Sequence, residues 1–165
     1  MSNLLTAEIK DLFSKSNKGL TLLITVGNDL RGDDGVGPYI YERTAEKGFL
    51  DSKPRFYLLN AFDKPENIID EAVKLAPSKV IIIDAADFGG EAGEARIIEK
   101  ENIPQTTLST HTFPLPVIAK ILEEDTGAEV FFLGIQPQNI ELGNGLSDAV
   151  KKTAKEIISC MKSIY

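Results

Sequence analysis

A buried strand followed by a glycine-rich loop and two adjacent acids constrains this chain more than any other stretch. Residues 19–37 read GLTLLITVGNDLRGDDGVG. Residues 20–26 are all apolar or β-branched and are bounded by glycine, which predicts a fully buried strand. The loop that follows brings Asp33 and Asp34 to the predicted start of the next helix. Open α/β sheets place their binding sites at such a succession of strand, glycine loop and helix start.

The two acids restrict the kind of ligand that this loop suits. Helix N-terminal amides commonly bind phosphate, but two carboxylates at the same place repel an anion. The Gly-Lys-Ser/Thr ending of a Walker loop is also absent. We therefore expect a metal ion or a proton-handling site, and we keep a nucleotide-binding domain as a rival. A simpler alternative is that Asp33 or Asp34 only caps the helix, since Asp is a favoured N-cap residue.

The rest of the chain alternates predicted strands with predicted helices. We expect further strands at residues 55–61, 80–84, 94–98 and 130–135, and helices at residues 4–16, 35–47, 66–75, 115–124 and 146–164. The two most apolar strands are typical of a parallel sheet that is covered on both faces. The fold class we predict is α/β: a doubly wound three-layer sandwich, with a mainly parallel twisted sheet of about five strands and helices on both faces.

Length and composition indicate one ordinary globular domain. The 165 residues are 42% hydrophobic and 26% charged, so we expect a single domain over 1–165, with a lead-in helix in 1–18 and the α/β domain in 19–165. A net charge of -7 argues against nucleic acid and anionic membrane as partners. A single cysteine, no signal-peptide pattern and no run of ~18 apolar residues lead us to expect a cytoplasmic protein without membrane insertion.

Three residues that are distant in sequence are expected to meet in the folded chain. Asp34 follows the first strand, and Asp84 ends the strand at residues 80–84. In doubly wound sheets these strands are neighbours, about 4.8 Å apart, and ligands bind beyond their carboxyl ends. His111, the only histidine, lies in a loop that we expect on the same rim. Two carboxylates and one imidazole suit a divalent transition ion such as nickel or zinc.

Each of these residues also has an ordinary structural explanation. An aspartate that ends a strand is often a turn residue or a cap, and this alternative stays open for Asp84. A lone histidine such as His111 is commonly a hydrogen-bonded loop or core residue. The spacing of the three residues is suggestive by itself and does not choose between these explanations.

Four motifs in the expected order give the chain a family resemblance. They are VGNDLRGDDGVGP at residues 26–38, VIIIDAAD at 80–87, STH at 109–111 and LGIQP at 133–137. With them the chain resembles the nickel-iron hydrogenase maturation endopeptidases, most of all the branch that serves hydrogenases linked to formate oxidation. The resemblance implies removal of a C-terminal peptide from the hydrogenase large-subunit precursor once nickel is in place.

The resemblance also implies roles for individual residues. It assigns metal binding to Asp34, Asp84 and His111, and catalysis to Asp34 and Asp84, leaving open which of them activates water. The substrate precursor would supply the nickel, and cadmium or zinc can occupy such a site in vitro. We expect a monomer whose partner is that precursor. Residues expected to contact the substrate or support the site are Asn28, Gly32, Asp33, Gly35, Asp63 and Thr110.

One segment departs from the family pattern. Many relatives carry Asp-Gly-Gly after the second strand, where this chain has Asn60-Ala61-Phe62 followed by Asp63 as a candidate substitute. The departure puts a substrate contact by this loop in doubt. It also motivates a rival function, a nickel-dependent docking protein or chaperone for the large subunit that does not cleave it.

Overall fold

The computed structural model describes residues 5–14, 19–45, 55–103 and 114–164, and these segments alternate strands with helices. The strands are β1 (Thr21–Val26), β2 (Phe56–Phe62), β3 (Lys79–Ala85), β4 (Ala95–Ile98) and β5 (Glu129–Ile135). The helices are α1 (Ala7–Leu12), α2 (Val36–Ala45), α3 (Ile69–Leu75), α4 (Leu115–Thr126) and α5 (Asp148–Ile164).

The five strands form one sheet in the order β2-β1-β3-β5-β4. All neighbouring pairs are parallel except β4 and β5, and the antiparallel β4 lies at the edge, as its weaker apolar pattern predicts. The chain moves from β1 to one side for β2 and to the other side for β3. The strand order therefore reverses between β1 and β3, where a sheet of this kind opens a crevice at the carboxyl ends of its strands.

Helices cover both faces of the sheet, so the predicted three-layer α/β fold is confirmed. Residues of α1, α2 and α5 pack with one face of the strands, and residues of α3 and α4 pack with the other. All six residues of β1 are buried, which explains why its sequence is apolar throughout. In the part of the chain that is described, no helix combines the length and apolarity required to cross a membrane.

The N-terminal helix is docked on the sheet, as its apolar spacing predicts, but it is shorter than expected. The Thr6 side chain accepts a hydrogen bond from the Ile9 amide and so caps α1. Ile9, Leu12 and Phe13 are buried against the core. Leu4 and residues 15–18 lie outside the described residues.

The helix after β1 begins at Val36, within one residue of its predicted start. A 3-10 turn, Gly32–Gly35, precedes α2 and carries Asp33 and Asp34. In the last turn of α2 the polar Thr44 is buried, whereas the apolar Ala45 is exposed. The Thr44 hydroxyl donates to the Ile40 carbonyl at 2.7 Å, which satisfies this polar group inside the core.

The helix after β2 also starts with a 3-10 turn. Pro65–Ile68 forms that turn and α3 follows it, whereas the sequence predicts one continuous helix over residues 66–75. Proline at the first position explains the difference, because it opens a helical turn without committing the backbone to α geometry.

The backbones of β1 and α2 come into direct contact at Gly37. A Cβ atom built on Gly37 would lie 2.3 Å from the Val26 carbonyl oxygen and 2.8 Å from the Val26 nitrogen. Glycine is therefore required here by space, as expected where a helix and a strand approach closely. This contact fixes where α2 starts relative to the end of β1.

We expect Gly37→Ala to lower the free energy of unfolding by at least about 2 kcal/mol, because the new methyl group forces the two backbones apart. Urea unfolding followed by circular dichroism measures the change. Gly145→Ala is the matched control, since a Cβ at Gly145 meets nothing within 4 Å, and its effect should stay within about 0.5 kcal/mol. Equal stability of the two variants would contradict the close approach.

Candidate active site

Two aspartates from different segments lie at the carboxyl ends of β1 and β3. Asp34 sits in the 3-10 turn after β1, Asp84 is the penultimate residue of β3, and both are fully buried. Thr25 pairs with Ile83, so Asp84 comes one residue beyond this pair on the neighbouring strand. The 3-10 turn itself contacts β3. The fold therefore brings both carboxylates to the point where the strand order reverses.

The glycine loop wraps closely around Asp34. A Cβ on Gly27 would lie only 1.9 Å from the Asp34 carbonyl oxygen, and Gly27 has a φ of 144°. The Asn28 amide donates to Oδ2 of Asp34 at 3.1 Å. Glycine at this position lets the loop turn back onto the aspartate, which sets the position of the Asp34 carboxylate.

Asp33 fastens a distant loop to the 3-10 turn. Its Oδ2 accepts from the amides of Gln138 at 2.8 Å and Asn139 at 3.0 Å, and from the Ser147 hydroxyl at 2.9 Å. Its Oδ1 accepts from the Ser147 amide at 2.7 Å. Four uncharged donors thus surround a carboxylate that has no exposed surface. This arrangement, which we call the Asp33 clamp, holds the loop 138–147 in place.

The capping alternative for the acid pair is wrong for Asp33. No side chain caps the 3-10 turn, and the hydrogen bonds of Asp33 reach a segment more than a hundred residues away. The Asp33 carboxylate instead lies at the start of α5, where the helix dipole favours a negative charge. The hydroxyl of Ser147, the residue before α5, accepts a hydrogen bond from the Val150 amide at 3.4 Å.

Backbone hydrogen bonds add to the clamp. The Gly32 amide donates to the Asn144 carbonyl at 2.9 Å, and the Gly143 amide donates to the Leu30 carbonyl at 3.0 Å. Gly32 has a φ of 56°, and a Cβ there would lie 2.5 Å from the Asn139 carbonyl oxygen. The glycine loop and the loop 138–147 are therefore joined along their length.

Gln136 is a site-ordering residue that the sequence argument missed. Its Oε1 accepts from the amides of Phe88 at 2.9 Å and Gly90 at 3.1 Å, and its Nε2 donates to Asp87 at 3.1 Å. These bonds order the loop that follows β3, only a few residues after Asp84. The indication in the sequence was a polar residue immediately after a buried strand, inside the LGIQP motif.

The other predicted site residues occupy different places. The Asn28 side chain accepts from the Leu30 amide at 2.9 Å, which shapes the glycine loop. Gly35 lies against the backbone of Asp29. Asp63 is half-buried in the turn after β2. Thr110 and His111 lie in residues 104–113, outside the described residues.

The three-ligand metal site stays a prediction. Within the four described segments, no group of three or more His, Cys, Asp or Glu side chains could hold a metal ion. The two aspartates that are described supply oxygen donors, and His111, the proposed nitrogen donor, is not among the described residues. The chemistry of the two carboxylates fits a divalent cation, which accepts oxygen ligands and neutralises their charge.

The segment that departs from the family pattern forms a strained turn at the end of β2. Oδ1 of Asn60 accepts from the Phe62 amide at 3.1 Å and from the Thr25 hydroxyl at 3.3 Å. Phe62 has a φ of 51°, a left-handed conformation that is unfavourable for a residue with a Cβ. The Gly27 amide donates to the Phe62 carbonyl at 2.7 Å, which places this turn beside the glycine loop.

We expect Asp33→Ala to lower the free energy of unfolding by at least about 3 kcal/mol, because it leaves three amides and a hydroxyl without their acceptor. Urea unfolding gives the value. Asp29→Ala serves as the control, since Asp29 is an exposed acid of the same loop, and its effect should stay within about 0.5 kcal/mol. A small effect of Asp33→Ala would show that the clamp contributes little.

A second prediction concerns Gln136. Its hydrogen bond, with a smaller contribution from the Gly89 amide, holds the pKa of the Asp87 carboxyl below its ordinary value. Gln136→Ala should therefore raise the pKa of Asp87, and should destabilise the fold by about 1–3 kcal/mol because two amides lose their acceptor. Titration by nuclear magnetic resonance measures the first effect and urea unfolding the second. An unchanged Asp87 titration would contradict this account.

Known proteins resemble this chain over most of its length. A family model described as HycI, hydrogenase maturation protease, matches residues 41–164. A putative hydrogenase maturation protease of Methanocaldococcus jannaschii is 34% identical over 148 residues, which cover 87% of this chain and 86% of the relative. The hydrogenase 3 maturation protease of Escherichia coli is 34% identical over 137 residues, covering 82% and 85%.

The fold agrees with these sequence matches. The crystal structure of the [NiFe] hydrogenase maturation protease HycI from Thermococcus kodakarensis matches with a TM-score of 0.82 at 31% identity, over 96% of this chain and 98% of that chain. The similarity in fold thus extends over nearly the whole chain. This chain belongs to the hydrogenase maturation protease family.

Proposed function

We propose that this protein removes the C-terminal extension of a nickel-iron hydrogenase large-subunit precursor after nickel insertion. The observation that carries the proposal is the position of Asp34 and Asp84. Both carboxylates are fully buried, and they come from separate segments that meet where the strand order reverses. Proteins of this fold bind their ligands at that point, and the family to which the chain belongs consists of proteases.

Nickel enters this proposal as part of the substrate. The carboxyl oxygens of Asp34 and Asp84 are the kind of ligand that a divalent cation accepts. Asp34, Asp84 and His111 would complete the coordination of a nickel ion that the precursor already holds through its cysteines. A precursor without nickel lacks this positive charge. Cleavage would therefore depend on metal insertion.

The composition of the chain leaves few other groups for peptide hydrolysis. The sequence has one histidine and one cysteine and no HExxH zinc-protease motif. Cys160 lies in α5 and is partly buried against the core. Burial raises the pKa of its thiol, which disfavours the reactive thiolate. An aspartate is thus the proposed proton acceptor for the attacking water, and the substrate's nickel can polarise the scissile carbonyl.

A docking protein or chaperone that binds the nickel-loaded large subunit without cleaving it is the second candidate. The feature that favours it is the Asn60-Ala61-Phe62 segment, where the family resemblance leads us to expect Asp-Gly-Gly. Binding alone needs the metal ligands but no proton transfer. The two candidates therefore differ in one measurable product, the shortened large subunit.

We expect Asp34→Asn and Asp84→Asn to reduce cleavage of the nickel-loaded precursor by at least about 100-fold, because each change removes a charge that binds the ion or accepts a proton. Mass spectrometry of the large subunit after incubation measures the lost peptide. The Asn side chains keep an oxygen acceptor, so the fold should persist, as thermal unfolding can verify. Asp70→Asn, on the exposed side of α3, is the matched control and should cleave normally.

The same experiment separates the two candidate functions. Cleavage by the wild-type chain that requires nickel in the precursor supports the peptidase. Wild-type protein that forms a complex with the precursor but never shortens it would establish the docking protein instead. Normal cleavage by either Asn variant would remove that aspartate from the proposed mechanism.

A further inference from the structure

Exposed apolar side chains are concentrated at one end of the sheet. The described residues include five large hydrophobic side chains that are well exposed. Three of them lie at the carboxyl ends of the strands: Phe62, the last residue of β2, is 51% exposed, and Leu30 and Leu142, both in loops, are 66% and 75% exposed. We call these three residues the apolar rim. Apolar side chains that gather on one part of a surface commonly mark an interaction site.

Backbone hydrogen bonds connect the apolar rim to the candidate active site. The Gly27 amide donates to the Phe62 carbonyl, and the Gly143 amide donates to the Leu30 carbonyl. Leu30 lies in the glycine loop itself, and these bonds join both the end of β2 and the loop 138–147 to it. The apolar rim therefore borders the glycine loop, which leads into the 3-10 turn that carries Asp34.

The local backbone holds the aromatic ring of Phe62 at the surface. Its left-handed φ of 51° is unfavourable for a residue with a Cβ, and it coincides with a register shift in the pairing of β1 with β2, where Val26 pairs with Phe62. Oδ1 of Asn60 accepts a hydrogen bond from the Phe62 amide, and the Phe62 carbonyl accepts one from the Gly27 amide. The ring stays 51% exposed, so burial in the core does not explain an aromatic residue at this position.

We propose that Leu30, Phe62 and Leu142 bind an apolar segment of the client polypeptide and so determine which precursor is cleaved. This inference rests on the proposed function, because the client is the hydrogenase large-subunit precursor. The segment of the client that binds the apolar rim is the one that flanks the scissile bond, because the rim borders the glycine loop that precedes Asp34. In this proposal the Asn60-Ala61-Phe62 segment supplies an apolar contact to the substrate through the Phe62 ring.

The test uses Phe62→Gly and Leu142→Ser, singly and together, in the full-length protein. Removing apolar contacts that are made equally in the bound substrate and the transition state raises KM and leaves kcat unchanged. We expect KM for the nickel-loaded precursor to rise at least about tenfold in the double variant, as the loss of two buried apolar side chains implies. The value of kcat should stay within about twofold.

Stability measurements distinguish this role from a structural one. Glycine accepts the left-handed conformation without strain, so Phe62→Gly should not lower Tm even though it weakens substrate binding. Tyr57→Ser is the matched control. Tyr57 is 41% exposed on the same strand but pairs with Leu22 near its other end, so this variant should keep the wild-type KM.

Each outcome bears on a different proposal. Wild-type cleavage with an unchanged KM in the double variant would overturn the apolar rim and leave the peptidase intact. Wild-type binding without cleavage, weakened at least tenfold in the double variant, would support the rim and reject the peptidase. Failure of the wild-type chain to bind the precursor, measured by calorimetry, would reject the rim together with the proposed function.

Discussion

The hydrogen bonds of the Asp33 carboxylate are the constraint on which the site depends. A buried carboxylate is costly unless donors surround it, and here four donors from one remote segment do so. The same bonds set the start of α5, the course of the loop 138–147 and the position of the 3-10 turn. Asp34, the candidate metal ligand, is the next residue in that turn. Its position therefore follows from the position of Asp33.

Glycines complete this arrangement by allowing backbones to approach. Gly27 lets the loop close over Asp34, Gly32 lets it meet the loop 138–147, and Gly37 lets α2 rest on β1. Each of these contacts is with backbone atoms, which cannot move aside as a flexible side chain does. At each of these three positions a side chain would collide with backbone atoms, so only glycine fits. The position of the candidate site therefore depends on these glycines.

The sequence alone predicted the α/β class and the adjacency of β1 and β3, because burial on both faces leaves long apolar runs. It did not predict the partners of Asp33 or the role of Gln136, since contacts between residues far apart leave no local pattern. The exposed Phe62 and the buried Thr44 were missed because a local hydrogen bond to Asn60 or to Ile40 does not alter the hydrophobic periodicity. His111 and Thr110 lie outside the described residues, so their predicted roles stay predictions.

The distance in sequence between Asp33 and its donors has a consequence for the order of folding. Ser147, which supplies two of the four donors, follows Asp33 by 114 residues. Closing so long a loop is slow compared with forming local helices. The surroundings of the two aspartates therefore reach their final shape only after the segment 138–147 has been synthesised and has closed onto the 3-10 turn.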